Sequence, residues 1–474
     1  MAQPAVYFKG TLKQDKQQFP VRVGFASRYS VWLYFDESPE ERCSPQFDSL
    51  VLQVDDKHIV VGRCRLLDAE GNNGARLVPM ESIHDFEKLF FQSRVNVLEA
   101  SAVNLPLILG YKNGIDACFK EFVAELAYDL SVYKNMFGRM DDEYRGELSD
   151  VRETIQRGIL DSLGPGLMEY LDVQLAEMAR IVADFDSKQH EHHGYYLRRQ
   201  LWDVIMCSPI MARTNLKPRG YIGDSEMMRM IYLNDYQGDS TFGKIMHKHP
   251  VGQPAAQAVR NRRVDVATRI KQFVLEAGPR ESEKVKILSV ACGPALELTE
   301  ILGTAADCRT VHFSLLDQDQ QALLEAASVI KQIENKVQTE ISADFIRESV
   351  RTMLVSRELQ ARWGTFDFIY SMGLFDYLSP PVATAVLKKL YQLLNPGGEL
   401  IIGNFHIQNP TMYYMAYWLD WSIFYRTEQD LVAIASELAG ADTQITFDTT
   451  GIQMFLRVRK EYADGSSSVL REEG

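Results

Sequence analysis

No two cysteines in the chain stand in C-x-x-C spacing. The six present, Cys43, Cys64, Cys118, Cys207, Cys292 and Cys308, are scattered, which excludes a zinc-ribbon signature, implies no disulfide framework and suits reduced thiols in a cytosol. Basic charge is in short supply as well: 51 lysines and arginines against 64 acidic residues leave a net charge of −13. That balance argues against nucleic-acid phosphates or an anionic membrane surface as the main partner and favours a diffusible small molecule. No apolar run approaches a membrane span, and the opening MAQPAVYFKG has no basic region followed by an apolar stretch. A cytoplasmic protein without a membrane span is therefore expected. At 474 residues, two or three domains are expected; no repeat of fixed period is present.

What is present changes character along the chain. Residues 1–95 alternate in the strand manner through VYFKGTL, YSVWLYF, SLVLQV, HIVVGRCRLL and ARLVPM, which predicts a small antiparallel β-barrel or sandwich, followed by a closing helix over SIHDFEKLFFQ. Over 96–200 the period becomes helical, with Phe119, Phe122, Val123, Leu126, Leu130, Tyr133 and Phe137 on one face and a break at SLGPGL. A denser segment, 201–284, is expected to lid a site. Over 285–460 strands alternate with amphipathic helices through VKILSV, VHFSLLD, ISADFI, FDFIYS and GELIIGNF, ending in a hairpin-like pair. That order predicts an α/β fold with a Rossmann-like parallel sheet. The tail 461–474 reads as mobile, and a homodimer through the N-terminal or helical region is compatible with this layout.

The stretch KILSVACGPALEL, 286–298, is a strand that breaks into small residues and resumes as a helix, which brings backbone N–H groups to the sheet's carboxyl edge. It lacks G-x-G-x-x-G, so a pyrophosphate ligand is not expected. At the end of the next strand Asp317, followed by Gln318, stands where an acidic residue accepts hydrogen bonds from both ribose hydroxyls.

Ser289-Val290-Ala291-Cys292-Gly293-Pro294-Ala295 resembles motif I of the class I S-adenosylmethionine-dependent methyltransferases, with Ser289, Ala291 and Ala295 where that family often has Asp, Gly and Gly. The resemblance implies S-adenosyl-L-methionine as cofactor, Asp344 and Phe345 near the adenine, and Ser371 at the tip of the fourth strand. LLNPGGELIIGNF, 393–405, matches the family's turn before its fifth strand. Over about residues 200–460, KPRGYIGDSEMM, AAQAVRNRR, SVR, GLFDYL and DWSIFYRTEQDL are similar to the methyltransferase family that makes the extracellular factor 3-hydroxypalmitic acid methyl ester. This implies methyl transfer to the carboxylate of a 3-hydroxy fatty acid or similar apolar acid, giving a quorum-sensing ester. Residues 1–95 resemble PilZ domains more faintly, without the R-x-x-x-R pair or the D/N-x-S-x-x-G turn, so docking or dimerisation is expected of them rather than nucleotide sensing.

A carboxylic acid of pKa ~4–5 is already ionised at neutral pH, so its methylation needs orientation, whereas an amine or alcohol needs a general base. Arg219 and Tyr221 are candidates to hold either the donor's or the acceptor's carboxylate; KPRGY equally suits a turn with Arg219 in a structural ion pair. Asp224, Glu226 and Met227 would follow in the lid. Of the cluster Arg260–Arg263, Arg260 and Arg263 share a helical face and are the candidate anion holders, against a plain solvated face. His406, after the fifth strand, is a candidate base, a hydrogen-bond donor to a carboxylate, or a pocket wall. Tyr413, Tyr414, Trp418, Trp421 and Tyr425 could wall an acyl chain or form core. HEHH, 190–193, does not place three ligands on one helical face and reads as a solvated turn; no metal is expected. The alternatives are an amine- or hydroxyl-directed methyltransferase and a regulatory protein that only binds ligand.

Overall fold

The computed structural model describes residues 8–15, 17–26, 31–35, 46–54, 57–70, 74–80, 110–278 and 283–461. The chain divides into two compact units, Met1–Gly114 and Ile115–Gly474. In the first, β1 (Phe8–Gln14), β2 (Gln17–Ala26), β3 (Val31–Phe35), β4 (Gln46–Phe47), β5 (Ser49–Val54), β6 (Lys57–Val61), β7 (Cys64–Glu70) and β8 (Gly74–Pro79) form one antiparallel sheet in the order β4-β7-β8-β3-β2-β1-β5-β6. Alternation builds it: Val21 and Val23 are buried while Arg22 between them is exposed. Among the described residues the order ends in two edges, β4 and β6, with no pairing between them, so the sheet is open there and closure into the expected barrel is not seen. The stretch HIVVGRCRLL is two strands, parted at Gly62 and Arg63, and QQFPVRVGFA adds a strand that its proline and glutamines had hidden. The helix expected over SIHDFEKLFFQ and the tail from 462 lie outside the described residues.

The second unit opens with long helices, Ala117–Glu143 and Ser149–Val182. The break expected at SLGPGL does not occur, for the second helix runs through Pro165. An interior proline costs roughly 3 kcal/mol, but Leu160, Leu167 and Leu171 are buried along one side. At about 1.5–3 kcal/mol each, that burial outweighs the penalty. HEHH is likewise no solvated turn. It lies in the helix Ser187–Gln200, begun by a capping box between Asp186 and Gln189, with His193 buried and accepting the Asp116 N–H at 2.9 Å.

In the C-terminal sheet, β9 (Val285–Val290), β10 (Val311–Asp317), β11 (Ala343–Arg347), β12 (Phe366–Ser371), β13 (Leu394–Phe405), β14 (Ala441–Phe447) and β15 (Gln453–Lys460) pair in the order β11-β10-β9-β12-β13-β15-β14. The strands through β13 are parallel, and β15 enters antiparallel between β13 and β14. Helices Pro254–Ala277 and Gln320–Val337 pack on one face, Pro380–Gln392 and Glu428–Ala435 on the other. The expected Rossmann-like arrangement is therefore present. β9 has β10 on one side and β12 on the other, so the chain order reverses there, the point at which open α/β sheets leave a crevice.

Candidate active site

Beyond β9 the backbone turns through Ala291, Gly293 and Ala295, whose φ values of 54°, 54° and 51° are all left-handed. Glycine visits that region freely, whereas alanine gives up about 1–2 kcal/mol. The loop thus keeps a glycine-type shape with only two methyl groups added. Asp317 fastens it: Oδ2 accepts the Gly293 N–H at 2.9 Å and Oδ1 the Asp319 N–H at 2.9 Å. Burial raises the Asp317 pKa, while those backbone donors pull against the rise.

A cavity of about 490 Å³ opens over this edge. Of the residues expected in a site, Ser289, Ala291, Gly293, Asp317, Gln318 and Tyr221 line it. The others stand elsewhere. Ala295 is fully buried behind the loop, and Ser371 donates its hydroxyl to the Val290 carbonyl at 2.9 Å. Asp344 pairs in register with Ser314, whereas Arg347 is the residue level with Asp317. Asp344 therefore falls short of the carboxyl edge, is 70% exposed and meets His312 at 3.2 Å; Phe345 is exposed too. The edge position belongs to Glu348, which lines the cavity and pairs with Arg362.

Arg219 does not line the cavity. Its guanidinium is held by Asp319 at 3.1 Å and Glu325 at 2.8 Å, and these carboxylates raise its pKa against the opposing effect of burial. Tyr221 donates to the same Asp319 at 2.9 Å, and burial raises its pKa. Both residues latch the segment before the helix Ser225–Leu233 onto the sheet, with Asp224 capping that helix through the Met227 N–H. His406 is also outside. Side chains alternate along β13; Phe405 faces the cavity, and His406 turns instead to Glu428 at 3.3 Å and the ring of Phe447. Of the aromatic segment, Tyr414 and Trp418 belong to the helical core, whereas Trp421 lines the cavity.

Of the two expected anion holders, Arg260 donates to the carbonyls of Ile231 and Val251, and Arg263 lines the cavity but pairs with Glu300 at 3.2 Å. The cavity also holds residues that sequence reasoning passed over. Arg262, between Arg260 and Arg263, is 7% exposed and lines the cavity. Its place was legible, since Val259 and Val266 flank it at helical spacing on the buried stripe. Glu297, raised by burial, accepts the Tyr370 hydroxyl at 2.7 Å. Asp376 is buried, accepts the Phe405 N–H at 2.8 Å, and has a pKa raised to about 6 by that burial.

Residues 287–398, from β9 to the turn within β13, match the family described as methyltransferase domain. No curated protein matches the chain. Among solved structures, a possible exported protein from Bordetella parapertussis is 18% identical, covering 63% of this chain and 97% of its own, with a TM-score of 0.42. Magnesium protoporphyrin IX methyltransferase from Synechocystis PCC 6803, with bound SAM, is 11% identical over 44% of this chain and 83% of its own, TM-score 0.31. The N-methyltransferase NodS from Bradyrhizobium japonicum is 13% identical over 42% and 95%, TM-score 0.29. At scores this low the likenesses carry no weight, and the assignment stands on the matched domain and the strand-edge geometry. Residues 287–398 are thus a methyltransferase domain, and S-adenosyl-L-methionine is the cofactor that its sequence resemblance implies.

The residues fit that cofactor. A tight loop lets the backbone line the cavity closely, a buried carboxylate sits at the end of β10, and the Arg262 Nε is buried without a hydrogen-bond partner. When bound, the cofactor supplies a methyl group activated on a sulfonium. Among the described residues no helix is long and apolar enough to cross a membrane.

Proposed function

We propose that the protein methylates the carboxylate of a small apolar acid, a 3-hydroxy fatty acid or one similar, to give a methyl ester that can act as a diffusible signal. The observation that carries this reading is the apolar end of the cavity. Val259, Phe405 and Trp421 wall it and also bound a second hollow of about 20 Å³, lined by Ile210, Ile231, Ala255, Ala256, Met415 and Leu419. An alkyl chain gains about 0.8 kcal/mol for each methylene buried against such a wall. Its carboxylate, ionised at neutral pH, asks only to be oriented.

A second reading, transfer to an amine or hydroxyl, is favoured by Asp376, whose pKa of about 6 is that of a usable base. A methyl-transfer assay comparing 3-hydroxypalmitate with its amide and with an alcohol of equal chain length separates the two. Turnover of the acid alone supports the first reading, and turnover of the alcohol with the acid inert overturns it. For residues 8–79 the PilZ-like reading leaves docking or dimerisation, supported by the edges β4 and β6 of the described sheet.

A further inference from the structure

We propose that Arg262 and Glu297 hold the two charges of the donor's amino-acid end, Arg262 the α-carboxylate and Glu297 the α-ammonium. Both side chains are almost wholly buried and both line the cavity beside the Ala291–Gly293 turn. Arg262 makes no ion pair among the described residues. Its Nε has no partner, its Nη2 reaches the Met228 sulfur at 3.5 Å, a weak acceptor, and the hydroxyl beside it, that of Tyr232, is neutral and cannot balance its charge. A guanidinium taken out of water and left in that condition is strongly unfavourable unless an anion joins it.

The other cations on the wall are already engaged, Lys217 with Asp420 and Arg263 with Glu300. Nη2 of Arg262 also lies 3.5 Å from where a Cβ of Gly373 would stand, which sets the guanidinium across the β12 edge from the turn. Glu297 comes from the first turn after the loop, and Tyr370, which donates to it, also meets the Ser289 side chain. Ser289 cannot carry a charge, so the negative group that this strand end presents through Tyr370 is the Glu297 carboxylate.

The pairing of signs selects the ligand. A simple acid placed on Arg262 would lie in the field of both Glu297 and Asp376, the two buried acids that feel this arginine. An amino acid brings an ammonium that offsets Glu297. The inference rests on S-adenosylmethionine as donor and is independent of the acceptor.

The test is calorimetric titration of the full chain with S-adenosylhomocysteine and with 5′-methylthioadenosine, which keeps the adenine, ribose and thioether but has no amino-acid group. Wild type should prefer S-adenosylhomocysteine by ten-fold or more. Arg262→Met and Glu297→Gln should each weaken that ligand by about 10- to 100-fold, the range for hydrogen bonds to charged groups. Methylthioadenosine affinity should stay within about two-fold, which also certifies that the variant site is intact. Equal affinity of wild type for the two ligands overturns the proposal without any variant. So does an Arg262→Met protein that binds S-adenosylhomocysteine normally, or one that loses both ligands together. Failure of wild type to bind either ligand would instead remove the donor assignment itself.

Discussion

Replacing Asp317 with alanine probes the cofactor site at its most constrained point. The carboxylate is 8% exposed, and each oxygen already accepts one backbone N–H, from Gly293 and from Asp319, at 2.9 Å. A carboxylate has about four lone-pair sites, so two remain for a pair of ribose hydroxyls. Hydrogen bonds to a charged acceptor contribute about 1.5–3 kcal/mol each, so losing two weakens binding by about 3–6 kcal/mol, or about two to four orders of magnitude in Kd. The loop suffers as well, because two N–H groups lose their acceptor, at about 1–3 kcal/mol apiece. Relief of a buried charge whose pKa is already raised offsets part of that loss. Asp317→Asn separates the two effects, since its carbonyl still accepts one N–H and its amide can donate to a ribose oxygen. Calorimetry with S-adenosylhomocysteine should therefore rank wild type above Asn and Asn above Ala. An alanine variant that melts cooperatively and binds within two-fold of wild type would refute the ribose role.

Three other perturbations read different parts of the molecule. Gly223 has a φ of 82°, and a Cβ there would stand 2.6 Å from the Tyr377 hydroxyl that accepts from Trp421 at 2.9 Å. Gly223→Ala should lower stability by about 2–3 kcal/mol, from the left-handed backbone and the disturbed hydrogen bond, and an unchanged denaturation midpoint would contradict this. Asp376, raised from 3.8 to about 6, binds its proton more tightly in the folded state. Its contribution is therefore complete below pH ~4 and is lost as pH rises through 6, by about 3 kcal/mol in all. Asp376→Asn keeps an acceptor for the Phe405 N–H and should flatten that decline; parallel stability profiles for the two proteins would show that the group does not titrate there. Val259→Phe narrows the apolar end of the cavity and should raise KM for long acyl acids while sparing short ones, measured by methyl transfer across a chain-length series. Equal effects on all lengths would place the alkyl chain elsewhere.

The strands of the C-terminal sheet were legible because their signals are local. Each is an apolar run ended by a turn, and Val285–Val290 with its small-residue loop announces a backbone that must approach a ligand. Position along a partner strand is not a local property. Asp344 is a well-placed acid within its own segment, yet the parallel pairing of β10 with β11 sets it level with Ser314 and carries Glu348 to the edge. The proline in Ser149–Val182 misled for a similar reason: its local cost is fixed, while the burial that overrides it comes from helices distant in sequence.

Within the arginine cluster, spacing between the charged residues alone paired Arg260 with Arg263 on one face and left Arg262 aside. Extending the helical period to the apolar residues on either side gives a different result, because Ala255, Val259, Arg262, Val266, Ile270 and Phe273 are all buried along the helix. An arginine on that stripe must be drawn out of water by folding. A fold keeps such a residue only if something compensates for its desolvation, and among the described residues no carboxylate pairs with it. A polar residue interrupting an otherwise apolar stripe is thus a stronger sign of a site than a dense run of charge. His406 obeys the complementary rule: Phe405, the last residue of β13, faces the cavity, so the residue that follows it faces away.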